Sequence, residues 1–160
     1  MGLTTILAAD DAQFVALCDG RDIGSLTPIE GNIEAPEVIA MLRALAQTIR
    51  QDFAPAAWLI VERDQVVGMC SLVKAPTADG TAEIGYGVAA SCRGRGTATQ
   101  PVREVLVWAK SDPRVSSVRA ETAVDNPASH IVLERNGFER IGARTDEEDG
   151  ILIRWAVASG

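Results

Sequence analysis

Histidine and tyrosine each occur once in this chain, at His130 and Tyr86. A single histidine excludes a metal cluster built on several imidazoles, and it makes any Ser-His-Asp triad depend on that one residue. Cysteine is almost as scarce. Cys18, Cys70 and Cys92 are odd in number, far apart and without a C-x-x-C pair. Neither a disulfide framework nor a zinc site follows, and no metal is expected. No apolar run approaches the ~20 residues of a membrane-spanning helix. The start, MGLTTILAADDAQ, lacks the basic beginning and apolar core of a secretory signal. A cytoplasmic setting with no membrane partner is the expectation. An excess of basic residues is missing too: the formal net charge is −7, against a nucleic-acid partner, which requires a positive surface. An acidic balance suits either a cationic substrate or a plainly solvated exterior.

What is present is an ordinary globular composition, 47% hydrophobic and 23% charged over 160 residues, enough for one domain over 1–160 with its own core. No repeat or linker divides it. Residues 3–7 read as a short strand, and Asp10 or Asp11 opens a helix. Residues 21–35 have little periodicity and read as a loop. Residues 36–53 are the clearest helix, with Val38, Met41, Leu42, Leu45 and Ile49 spaced as one buried face. Residues 57–62 and 65–73 flank the polar pair Arg63-Asp64 and predict a hairpin. A strand over 81–88 and a helix over 101–110, with Val102, Val105, Leu106 and Ala109 on one side, come next. A strand over 115–122 follows. Asn126, Pro127 and Gly137 punctuate a short helix as N-cap, first turn and C-terminal stop. Two strands, 138–144 and 150–157, close the chain around an acidic turn. The order predicts an α/β protein of α+β type, a mixed sheet with helices on both faces.

Between the strand over 81–88 and the next helix lies SCRGRGTATQ. A strand, a glycine-rich turn and a helix make a place for an anion. Glycine lets a ligand approach the backbone, and the first amides of a helix point outward unsatisfied. Arg93 and Arg95 would add charge-assisted hydrogen bonds. The alternative is a solvated surface turn. Gly85-Tyr-Gly87-Val-Ala-Ala90 formally fits the dinucleotide fingerprint, but its glycines fall inside a strand pattern rather than opening a helix. No P-loop motif is present.

Residues 82–98, AEIGYGVAASCRGRGTA, closely resemble motif A of the GNAT superfamily of acyl-CoA-dependent N-acyltransferases, R/Q-x-x-G-x-G/A, with Arg93, Gly96 and Ala98 at its defining positions. Residues 125–138, DNPASHIVLERNGF, are similar to that family's second motif, and one helix and one strand separate the two, as in the family. The N-x-x-S pattern of Asn126 and Ser129 looks like the ribosomal-protein N-terminal acetyltransferase-like branch. The resemblance spans roughly residues 57–157 and is faint before Pro55.

It implies a GNAT-like, mostly antiparallel sheet of about six or seven strands with about four helices, and acetyl-CoA as cosubstrate. It further implies that Arg93, Gly94, Arg95, Gly96, Thr97 and Ala98 cradle the pyrophosphate. The pantetheine arm would lie along Tyr86, Gly87 and Val88 where two strands part, with Asn126 and Ser129 beside it. The acetyl group would pass to a primary amine in a ternary complex, the acceptor being a small molecule or a protein N-terminus. The rival reading is an acyl-CoA-binding regulatory module with little turnover. Monomer and homodimer both remain open.

Such a transfer needs a base for the ammonium, donors for the carbonyl oxygen, and an acid for the departing thiolate. Glu83 shares a strand face with Gly85 and Gly87, either as a base beside ligand space or on a solvated face with a bulge. Glu121 ends the next strand, either as a base or in an ion pair with Arg119 or Arg103. Many GNAT enzymes place a tyrosine acid seven residues after the motif's asparagine, and here that position is Leu133. Ser129 then stands either as the acid or as a helix-start residue. Glu30, Glu34 and Glu37 either draw a cationic acceptor or form a solvated loop and helix start.

Overall fold

The structure, a computed structural model, describes residues 4–159. Its elements are β1 (Thr4–Ala8), α1 (Asp11–Cys18), β2 (Thr27–Pro28), α2 (Pro36–Arg50), β3 (Ala57–Glu62) and β4 (Gln65–Leu72), then β5 (Thr81–Val88), α3 (Thr99–Ser111), β6 (Ser117–Ala123), α4 (Pro127–Arg135), β7 (Glu139–Asp146) and β8 (Gly150–Ala158). The strand expected over 3–7 is β1 for its described part, and Leu3 lies outside the described residues. One sheet of eight strands runs β1-β3-β4-β5-β6-β8-β7, with the two-residue β2 beside β4. Neighbours are antiparallel except β2 with β4 and β5 with β6. The mixed, mostly antiparallel sheet and four α-helices are the predicted architecture, with β2 as an added short strand inside the segment read as a loop.

Local chemistry explains the boundaries. Asp10 and Gln13 form a reciprocal capping box at α1, with bonds of 2.8 and 2.9 Å. Arg63 and Asp64, both at positive φ, turn β3 into β4. Asn126 caps α4 by accepting from the Ser129 N–H at 3.3 Å, and Gly137 at φ +82° stops that helix. Asp11 grips Arg43 of α2 through two bonds of 2.7 and 2.8 Å, tying α1 to α2.

Helix α3 buries Val102, Val105 and Ala109 completely, and its Trp108 packs 4.9 Å from Trp58 of β3. Burying each valine contributes roughly 1.5–3 kcal/mol. Helix α2 departs from expectation. Its core face is Ile39, Ala46 and Ile49, while Met41 is 63% exposed and Val38, Leu42 and Leu45 are half-buried. The apolar stripe is wider than the core needs, and its second edge faces a cleft. Trp155, 1% exposed, donates to Thr122 Oγ1 at 2.9 Å beneath the second half of the sheet.

The feature that positions the site is a split in the sheet. Strand β5 pairs with β6 only from Thr81↔Ser117 to Ile84↔Ala120, yet it runs on to Val88 beside β4. Val73 N–H donates to Glu83 O and Ala89 N–H to Val67 O, so the odd-numbered backbone groups of β5 serve β4. By alternation, those of Tyr86 and Val88 face the side that β6 has left.

Candidate active site

A cleft of about 1070 Å³ passes through this split. One wall is residues 93–99 with the first turn of α4. The other is the α2 edge over Met69, Ser71, Gly85 and Gly87. Tyr86, Gly87, Val88, Arg93, Gly94, Arg95, Gly96, Thr97, Ala98, Asn126 and Ser129 all line it. Residues predicted from separate stretches of the sequence thus meet in one place.

A short 3-10 turn, Ala90–Cys92, leads into the glycine segment. Gly94 and Gly96 sit at φ +78° and +70°, a region costly for side chains with a Cβ. Thr97 Oγ1 donates back to Cys92 O at 3.1 Å and closes the loop on itself. Among the described residues, the backbone N–H groups of Gly94, Arg95, Gly96, Thr97 and Ala98 find no acceptor. Five successive unpaired amides ahead of a helix form a nest for an anion. The dinucleotide-fingerprint alternative has no such geometry, because Gly85 and Gly87 lie within β5.

Sequence reasoning missed Thr99 and Arg135. Thr99 Oγ1 is buried without a partner and lines the cleft. An unpaired buried hydroxyl is costly, and a polar group entering the cleft here would satisfy it. Arg135 reaches the nest because α4 packs on α3, where Asn136 Nδ2 donates to Thr99 O at 3.1 Å and Arg103 to Arg135 O at 3.4 Å. A Cβ on Gly96 would stand 3.8 Å from both Arg135 Nη1 and Thr99 Oγ1. The sequence around Thr99 carried a signal, since it continues the glycine segment. Nothing local marked Arg135. Arg95 pairs with Glu62 at 3.4 Å, whereas Arg93 forms no ion pair among the described residues.

Tyr86 Oη donates to Ser129 O at 3.2 Å, and burial pushes its hydroxyl up to about 12. Ser129 therefore has its N–H capped and its carbonyl engaged, while its Oγ, beside the cleft, meets no partner among the described residues. Leu133, at the position of the family's tyrosine, is fully buried core. His130 packs 5.7 Å from Trp155, its Nε2 3.0 Å from Ala123 O.

The two carboxylates lie outside the cleft lining. Glu121 is held by Arg144 through two bonds, the longer 2.7 Å, with Arg154 at 3.9 Å. Those guanidinium bonds keep its carboxyl below the ordinary carboxylate range. An ion pair exists at Glu121, with Arg144 rather than Arg119 or Arg103. Glu83 forms no ion pair among the described residues and lines a smaller neighbouring cavity, on the face that carries Gly85. Of the acidic trio, Glu34 borders the large cleft, and Glu30 and Glu37, the latter in the first turn of α2, do not.

A split mixed sheet with a run of unpaired amides at the mouth of the split has the shape and the donors to take an anionic, elongated ligand between strands. Comparison with known proteins supplies the class. The acetyltransferase (GNAT) domain family matches residues 3–139, and the chain belongs to that family. The uncharacterized N-acetyltransferase p20 of Bacillus licheniformis is 23% identical over 124 residues, covering 78% of this chain and 68% of that protein. The ribosomal-protein-serine acetyltransferase of Escherichia coli is 30% identical over 81 residues, covering 51% of this chain and 45% of that protein. Two solved structures share the fold at a TM-score of 0.71. RimL, a ribosomal alpha-N-protein acetyltransferase in complex with coenzyme A, is 19% identical, with 96% of this chain and 92% of that one covered. A chimera of the spermidine N-acetyltransferase SpeG of Vibrio cholerae with hSSAT is 16% identical, with 98% and 95% covered. No helix among the described residues is long and apolar enough to cross a membrane.

Proposed function

We propose that this chain acts as a single catalytic domain that moves an acetyl group from acetyl-CoA to a primary amine by direct attack in a ternary complex. The observation that carries this reading is the end of β5–β6 pairing at Ile84↔Ala120, with the open edge of β5 leading to the unpaired amides of residues 94–98. The nest suits a diphosphate, with Arg93, Thr99 and Arg135 adding donors around it. The open backbone groups of Tyr86 and Val88 suit the amides of an extended arm, which would pair with them as a further strand does. Acetyl-CoA, when bound, supplies the activated acyl group and a thiolate leaving group.

The chain's own residues supply position and proton handling. Glu83 has a free carboxylate on the face that carries Gly85, so it takes the amine's proton, directly or through a water. Glu121 is locked by Arg144 with a lowered pKa and is the poorer base. Ser129 Oγ stands beside the cleft without a partner and can donate to the departing sulfur. Three free thiols suit a cytoplasmic setting. Membership in an acetyltransferase family favours turnover over the regulatory-module alternative.

Calorimetry with acetyl-CoA and thiol release with an amine panel test the proposal together. Binding with release supports it. Binding without release for any amine would revive the regulatory module, and no binding would remove the cradle assignment.

A further inference from the structure

The large cleft has two unlike halves, one on each face of the sheet. Trp58, Cys70 and Tyr86 are register partners across β3, β4 and β5 and share one face. Helix α3 covers that face through Trp108, and α4 meets it at the Tyr86–Ser129 bond. Met69 with Gly87, and Ser71 with Gly85, are partners on the opposite face, beneath α2. The arginines of the lining, Arg93, Arg95 and Arg135, stand with the glycine segment and α4. On the α2 side the walls are Ile33, Val38, Leu42, Leu45, Met69 and Val73, all apolar. Glu34, exposed, is the one carboxylate among the described lining residues, and it forms no ion pair among them. Ser71 adds one hydroxyl. The floor is bare. A Cβ on Gly87 would meet nothing within 4 Å, and one on Gly85 only Val73 Cγ2 at 3.9 Å. Open space thus lies between β5 and α2, walled by hydrocarbon.

An acceptor entering from this side exchanges water for hydrocarbon. Each methylene it carries is favoured there, and each further cation, hydroxyl or amide is buried without a partner at a cost. A polyamine brings several cations, an amino sugar many hydroxyls and a peptide its backbone groups, against one carboxylate and one hydroxyl. We propose that the acceptor is a small monoamine whose single primary amino group is joined to an apolar alkyl or arylalkyl body. That body lies over Gly85 and Gly87, beneath Val38, Leu42 and Leu45. The inference rests on the acetyl-transfer reading above and deepens it by naming the substrate class. Glu34 draws the lone ammonium on approach, and the apolar walls favour the neutral amine that attacks. The nitrogen–carbon amide bond forms as the carbon–sulfur bond breaks, and the sulfur keeps the electron pair. The ammonium gives up two protons in all, one to solvent and one to the coenzyme A sulfur.

Thiol release from acetyl-CoA is measured with ethylamine, butylamine, hexylamine and phenethylamine, and with spermidine, kanamycin and a peptide that begins with serine. From ethylamine to hexylamine kcat/KM is expected to rise about 3-fold per methylene. The three polar acceptors should fall below hexylamine by about 10-fold or more. Val38 lines the cleft without packing against the core, so its replacement tests the wall. Val38→Asp should cut kcat/KM for hexylamine by about 10-fold or more and flatten the series. Calorimetry should show acetyl-CoA affinity kept, which also reports folding. Val38→Thr, of the same shape, should give a smaller drop in the same direction, and it replaces the aspartate variant if that one fails to bind acetyl-CoA. A flat series in the active wild type, a preference for spermidine, kanamycin or the peptide, or a slope undiminished in the folded variant overturns the proposal alone. If acetyl-CoA binds and no acceptor is acetylated, the acetyl-transfer reading falls and takes this inference with it.

Discussion

Tyr86 Oη and the Ser129 carbonyl, 3.2 Å apart, join β5 to the first turn of α4 across the gap that β6 leaves. Both residues line the cleft. Tyr86→Phe keeps the ring and removes the bond, so chemical denaturation should report a loss of about 1 kcal/mol. Acetyl-CoA affinity should fall only a few-fold, because the strand edge stays in place. An unchanged stability would mean that the hydroxyl does not hold α4.

The same tyrosine gives an alkaline signature. Burial raises its pKa to about 12, from an ordinary 10.0. Between those values the unfolded chain loses the proton and the folded one keeps it, so folding stability falls as pH rises from 10 to 12. As Tyr86 is the only tyrosine, tyrosinate absorbance in the folded protein should stay absent at pH 10.5 and emerge near 12 or on unfolding. A tyrosinate signal with a midpoint near 10 in folded protein would contradict the burial.

Arg93 and Arg95 should differ. Arg95 already spends part of its charge on Glu62 at 3.4 Å, and Arg93 has no ion partner among the described residues. A charge-assisted bond contributes about 1.5–3 kcal/mol, so Arg93→Glu should weaken acetyl-CoA binding by about 10- to 100-fold. Arg95→Glu should cost less. Calorimetry at two salt concentrations checks both, and equal affinities for wild type and Arg93→Glu would sink the nest.

Glu83 and Glu121 should separate by pH and by turnover. Arg144 lowers the Glu121 pKa, so that pair stabilises the fold above the unfolded value of 4.5 and is lost as pH falls through the folded value. Its carboxylate is 20% exposed and Arg144 is 48% exposed, so solvent screening leaves at most about 1 kcal/mol. Glu121→Gln should lower stability at pH 7 more than at pH 3, with turnover largely kept. Glu83→Gln should cut kcat by about 10²-fold or more without changing acetyl-CoA binding. The reverse pattern in a pH–rate series would move the base to Glu121.

Leu133 is the test of a family position lost to the core. Leu133→Ala should cost about 2–5 kcal/mol. Leu133→Tyr should also destabilise, by overpacking, and should not raise kcat, because the side chain points into the core and away from the cleft. A gain in turnover for Leu133→Tyr would mean that an acid is wanted there.

Elements with local causes were legible beforehand. The Arg63-Asp64 turn, the Asn126 cap and the Gly137 stop are chemistry of neighbours in sequence, and each appears where its residues predict. Helix α2 was legible as a helix but not in its outward role. Periodicity finds an apolar stripe and cannot tell a core neighbour from a cleft wall, and Leu42 and Leu45 are both, packed against the core while lining the cleft with Val38. The nest was legible because its glycines and arginines are contiguous. Arg135 was not, since it arrives by helix packing 39 positions after the glycine at residue 96.

The sequence by itself determined the order of the main elements, the glycine-rich turn ahead of α3 and the family, because capping, turn geometry and motif spacing act over a few residues. Only the tertiary structure decided where β5 and β6 part and that Arg144 occupies Glu121. It alone decided, too, that Arg135 stands beside the glycine segment. Those outcomes depend on strand register and on charges brought together from distant positions, and a side chain's electrostatic role is fixed by the partners within a few ångströms of it.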